Sequence, residues 1–182
     1  MTDLDFYAHF AVNRGEVLGV GIGAQPDEWS KALGNEFDEN RIFESSLSRD
    51  FGFIVADFIQ ESGRWSCHLV ILQIHKLDMI VEDWDPLPEA VRAVYGEFSK
   101  RVTIVDLASV LTEANLSICR IVDDKPAAEL ENLWIPETSV GISVIRDSRF
   151  ARSEEKQVGD VYSMHHLPTA TVDAGKLVKY HP

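Results

Sequence analysis

The chain has 182 residues, enough for one ordinary domain or two small ones sharing a core. Apolar residues make up 45% and charged residues 26%, the balance of a globular protein rather than a disordered one. Seventeen Lys and Arg against thirty Asp and Glu leave a formal charge of −13, which argues against binding nucleic-acid phosphates or an anionic membrane.

The start, Met1-Thr2-Asp3-Leu4-Asp5, is acidic and lacks the basic n-region and apolar run of a secretion signal. The longest apolar stretches, such as Leu69-Val70-Ile71-Leu72, fall far short of the roughly 20 residues that span a bilayer. The expected location is the cytoplasm, where Cys67 and Cys119 read as two reduced, buried thiols rather than one disulfide.

Along the chain, Glu16 to Ile22 reads as a short extended segment leading into a compact helix. Pro26 suits the first helical position, Asp27 and Glu28 complement the dipole, and Gly34 suits the exit. Trp29, Ala32 and Leu33 form its expected buried side. Arg41 to Leu47 and Phe51 to Gln60 read as strands, and Glu61-Ser62-Gly63-Arg64 as a turn into a strand from Trp65 to Leu77. Period two in that strand sets Cys67, Leu69 and Ile71 on one face and Val70, Leu72 and Ile74 on the other, so a central, doubly covered strand is expected.

The acidic, turn-rich stretch from Val81 to Pro88 is the expected boundary between a first half, residues 1–82, and a second, residues 83–182. The second half opens with a helix from about Pro86 to Ser99, with Leu87, Val91, Val94 and Phe98 on its inner face. Thr103 and Asp106 then form a capping-box-like start to a helix bearing Ile104, Leu107, Leu111 and Ala114, and Asn115 suits a left-handed exit. Strands follow at Ser117–Val122, Glu131–Ile135, Ser139–Arg146 and Asp160–His166. Helix-then-strands occurs twice, and both sets end on an apolar-His-x-Leu word, Ile74 to Leu77 and Met164 to Leu167. The expected fold is α+β: an antiparallel sheet packed with helices, arranged as two tandem repeats or as one continuous domain.

Several chemistries lack their residues. Gly19-Val20-Gly21-Ile22-Gly23-Ala24 fits a dinucleotide fingerprint, but the helix after it is too short for a crossover unit, so no cofactor is expected and the glycines read as close-approach positions. His68 and His75 are expected seven apart on one strand, and His165 and His166 adjacent on another, so each pair diverges and no metal site is expected. There is no G-x-S-x-G elbow and no local signature of a catalytic cysteine, so no catalytic residue is named.

Acidic groups recur at Asp27-Glu28, Glu36 to Glu39, Glu82 to Asp85, Asp123-Asp124 and Glu129 to Glu131, several of them beside Trp29, Phe37, Trp84 or Trp134. Charge steers a basic partner and an aromatic gives desolvated contact area. Trp29, Trp84 and Asp85 are therefore the expected partner-binding residues.

The words Gly21 to Trp29, Leu33-Gly34, Leu47 to Gly52 and Gln73 to Leu77 resemble a group of small actinobacterial-type immunity proteins of polymorphic toxin systems. The helix-then-hairpin order is similar to the architecture of the beta-lactamase inhibitor protein. The resemblance covers mainly residues 19–77 and implies a non-enzymatic protein that neutralises a basic toxin by occluding its site. Two other readings stand beside it: a small-ligand site or enzyme assembled around Arg49, Asp57 and His75, and a structural subunit of a homo-oligomer.

Overall fold

The computed structural model describes residues 1–79, 85–122, 129–147, 149, 156–166, 172–173 and 176–180. The described residues form four α-helices, α1 (Asp3–Val12), α2 (Pro26–Leu33), α3 (Glu89–Tyr95) and α4 (Ile104–Glu113). Nine strands accompany them: β1 (Asp38–Phe43), β2 (Ser46–Asp50), β3 (Ile54–Glu61), β4 (Arg64–Leu72), β5 (Cys119–Ile121), β6 (Leu130–Ile135), β7 (Val140–Ile145), β8 (Val161–His166) and β9 (Leu177–Lys179). All nine join one antiparallel sheet in the order β1-β2-β3-β4-β8-β7-β6-β5-β9. The α+β class expected from the sequence is the class observed.

Each half is a helix followed by a four-strand meander, α2 with β1–β4 and α4 with β5–β8. The last strands of the two meanders pair, Val70 with His166, Ile71 with His165 and Leu72 with Met164, so the sheet runs unbroken through both halves. The matching His-x-Leu words do not occupy matching places. His75 lies in a 3-10 turn (Ile74–Asp78) after β4 has ended at Leu72, whereas His165 lies within β8.

Pairing assigns the faces. Leu47, Phe58 and Cys67 share one, joined by Ala56, Val70 and Val140, and by Ile54, Leu72, Met164 and Ile142; all are buried beneath the helices. The period-two reading of β4 fails at one residue. Asp57 pairs with Leu69 and Phe58 with Cys67, leaving His68 as a β-bulge that turns Cys67 onto the face of Val70 and Leu72.

The helix α1, which the sequence reading left out, covers the junction of the halves. Its Phe6 and Tyr7 meet Phe53 from the first half and Phe98 from the second, with ring centroids 5.2–6.3 Å apart. Thr2 and Asp5 cap it reciprocally: the Thr2 hydroxyl accepts from the Asp5 amide at 3.2 Å and the Asp5 carboxylate accepts from the Thr2 amide at 2.6 Å. At its exit Gly15, at φ +81, lies so close to β8 that a Cβ there would stand 2.6 Å from that of His166.

Other expectations shift locally. Arg41 to Leu47 is two strands joined by a turn at Glu44-Ser45, giving the edge hairpin β1-β2. The helix after Pro88 stops at Tyr95, leaving Val94 exposed and burying Tyr95 instead. Glu16 to Ile22 is a tight turn in which Leu18 and Gly19 take positive φ between the paired Val17 and Val20. Gly23 and Ala24 then exchange backbone hydrogen bonds with Cys67, covering the end of β4 that β8 does not reach. Cys67 and Cys119 are both free thiols, on strands with β8, β7 and β6 between them.

Trp29 is fully buried, its ring stacked on Phe51 at 6.4 Å, while burial pushes the nearby Cys67 thiol up to about 12. The expectation that Trp29 contacts a partner is therefore corrected: the amphipathic spacing of α2 turns it into the core. Trp29→Ala should remove about 3–5 kcal/mol of stability, read as a lowered urea midpoint with an unchanged m-value.

Candidate functional site

A cleft of about 860 Å³ opens where the first meander meets α3. Four segments frame it: the exit of α2 through Asp38, the β2-β3 turn at Asp50 to Gly52, Lys76 from the 3-10 turn, and Asp85 to Arg92. Its shape rests on one close approach. Gly52 sits at φ +86 with its Cβ position 2.5 Å from the Pro86 carbonyl, and that carbonyl accepts from the Phe53 amide at 2.6 Å.

Asp50 organises the floor. One oxygen accepts from the Gly52 amide at 2.8 Å, an Asx turn, and the other is paired with Lys76 Nζ at 2.8 Å. On the opposite wall Asp85 caps the Leu87 amide at 2.9 Å and pairs with Arg92, whose Nε also lies 3.1 Å from Glu97. Arg49 ties the α2 wall to the sheet, pairing with Glu39 at 2.9 Å and donating to the Pro26 carbonyl and Ser30 hydroxyl at 2.7 and 2.8 Å. Its guanidinium also lies over the Phe37 ring at 4.5 Å, and Phe37 in turn packs on Phe51 at 5.2 Å.

Both cations of the lining are thus engaged by carboxylates. Glu36, Asp38 and Glu89 are exposed on the rim, and among the described residues no cation pairs with them. The cleft therefore offers net negative potential beside a half-buried phenylalanine. A second groove, of about 620 Å³, runs between α4 and the segment Leu116–Ile118 and carries one carboxylate, Glu113.

Asp85 stands on the cleft wall, where the sequence reading expected a contact residue. Trp84 lies outside the described residues. Glu36, Phe37 and Asp38 belong to an acid-aromatic run already legible in the sequence. Asp50, Lys76 and Arg92 went unnoticed, although Asp50-Phe51-Gly52 has the spacing of an Asx turn.

The alternative grouping of Arg49, Asp57 and His75 is not assembled. Arg49, paired with Ala56, points to the helix side of the sheet, whereas Asp57 is on the opposite face. His75 lies beyond the end of β4, its ring parallel to that of Tyr162 at 4.1 Å. Among the described residues no group of three or more His, Cys, Asp or Glu is placed to hold a metal ion, and no helix is long and apolar enough to cross a membrane. Comparison with protein-family models, curated proteins and solved structures returns no match.

The histidines act on stability instead. Burial lowers the pKa of His75, His165 and His166, with nearby cationic or histidine charge adding to the effect at each. His165 lies across Gly141, where a Cβ would stand 2.3 Å from its ring. The folded chain keeps these rings neutral while the unfolded chain protonates them near pH 6.5, so stability is complete above that value and falls as pH decreases through it. Urea midpoints should drop between about pH 7.5 and pH 5.5, and His75→Phe, which retains a stacked ring on Tyr162, should show a smaller drop. Equal drops in both proteins would remove His75 from this account.

Proposed function

We propose that this chain is a non-enzymatic protein-binding module that neutralises a basic partner, in the manner of a toxin-directed immunity factor. The observation that carries the reading is the rim of the cleft, where among the described residues no cation pairs with Glu36, Asp38 or Glu89. A lysine or arginine entering from a partner meets carboxylates that no described cation of the chain pairs with. The part of the half-buried Phe37 ring not covered by Arg49 and Phe51 adds apolar surface for its alkyl stem. The formal charge of −13 adds long-range attraction for a cationic surface and speeds encounter. Occlusion is the mechanism: the partner's basic site is covered, and no bond is made or broken.

The cleft is tested by titrating the protein with nona-arginine and with the product of the neighbouring gene. Glu36→Gln/Asp38→Asn/Glu89→Gln should weaken binding at least about tenfold and flatten its salt dependence. The control Asp27→Asn/Glu61→Gln/Glu113→Gln removes the same charge elsewhere and should change binding far less. Equal losses from both triples would mean diffuse charge rather than a site. Relief of growth arrest by the wild type and not by the rim triple supports neutralisation; failure of the wild type to relieve it refutes that half of the reading.

A further inference from the structure

The β1 edge of the sheet is six residues long and exposed throughout, and among the described residues nothing pairs with its outer side. The opposite edge, β9, has only three residues. An edge strand with free N–H and C=O groups templates further pairing unless its side chains forbid it. We infer that β1 pairs antiparallel with β1 of a second copy of this chain, extending the sheet across a twofold axis.

The side chains of β1 select both the partner and the register. Glu39 and Arg41 lie on the helix side of the sheet, opposite Arg49 and Leu47 of β2, whereas Asp38 and Asn40 lie on the other face. A twofold axis normal to the sheet keeps every residue on its own face, so only positions sharing a face can pair. An axis through Glu39 sets two carboxylates opposite each other, and one through Arg41 sets two guanidinium groups opposite each other. An axis through Asn40 sets Glu39 against Arg41 twice and leaves a neutral Asn40 pair at the centre.

The pairing completes what each copy leaves open. Arg41 is exposed, resting over the Trp65 ring at 5.6 Å, and among the described residues no carboxylate pairs with it. Glu39 already holds Arg49 on one side and would gain Arg41 of the second copy on the other, one carboxylate between two guanidinium groups. A strand guarded against its own copy carries charges of one sign, which repel at every register. β1 instead alternates signs along one face, which repels in two registers and attracts in the third. Beyond about 8 Å, physiological salt screens the repulsion between two acidic bodies, so these local pairs decide the contact. The bulged Ile42, 55% exposed, falls at the end of the paired segment. This inference does not rest on the partner proposed for the cleft, although Asp38 belongs to both the cleft rim and β1.

Sedimentation of the full chain at about 100 µM should give twice the mass of one chain. Arg41→Glu and Glu39→Arg should each raise the dimer dissociation constant about tenfold or more, with thermal unfolding confirming that each variant is folded. Mixing the two variants restores opposite charges at both pairs, so the equimolar mixture should dimerise where neither does alone. A monomeric wild type overturns the inference, as does a dimer that both reversals leave intact, or a mixture no more associated than its components.

Discussion

Three residue pairs between β4 and β8 hold this molecule together as one body. Without them the chain would be two short meanders, one with an open edge at β4 and the other with an open edge at β8. With them, Val70, Leu72, Met164 and Ile142 become neighbours on one continuous face, and a single core lies under all four helices. Two small contacts hold this register. Gly15 lets the end of α1 settle on His166, and Gly141 leaves the space that the His165 ring occupies. A one-residue slip would exchange the two histidines between faces and lose both fits.

The same economy of space shapes the cleft. Gly52 admits the Pro86 carbonyl, which brings the segment before α3 against the β2-β3 turn and sets Asp85 across from Asp50. Cations are spent internally: Arg49, Lys76, Arg92, Arg101 and Arg120 each face a carboxylate of their own chain. With acids in excess thirty to seventeen, what remains for the exterior is predominantly negative. Overall composition thus becomes a directed property at the rim, where among the described residues no cation pairs with Glu36, Asp38 or Glu89.

Local signals were readable where one segment suffices to produce them. Pro26 and Gly34 bracket α2 as expected, Thr103 caps α4 through its hydroxyl, and Asn115 takes φ +59 at the exit. Ser62 and Gly63 both adopt positive φ in the turn between β3 and β4. The opening helix carries the same kind of cap, Thr2 with Asp5, on a segment too short for its periodicity to stand out. The sequence continues the apolar alternation of β4 past Leu72 through Gln73 to Leu77, although the strand ends at Leu72. Only packing of the 3-10 turn against β8 shows that the chain leaves the sheet there. The partner residues fared unevenly for a related reason. Acid beside aromatic marks both Trp29 and Phe37, and the sequence alone does not say which ring turns inward.

Amino-acid order settled the class of fold, most helices and strands, and the acidic character of the surface, because these follow from spacing, capping and charge within a few residues. Pairing across the middle of the sheet, the bulge at His68, and the meeting of Asp50, Lys76 and Asp85 belong to the folded state alone. They join positions tens of residues apart, and their geometry exists only once both meanders share a core.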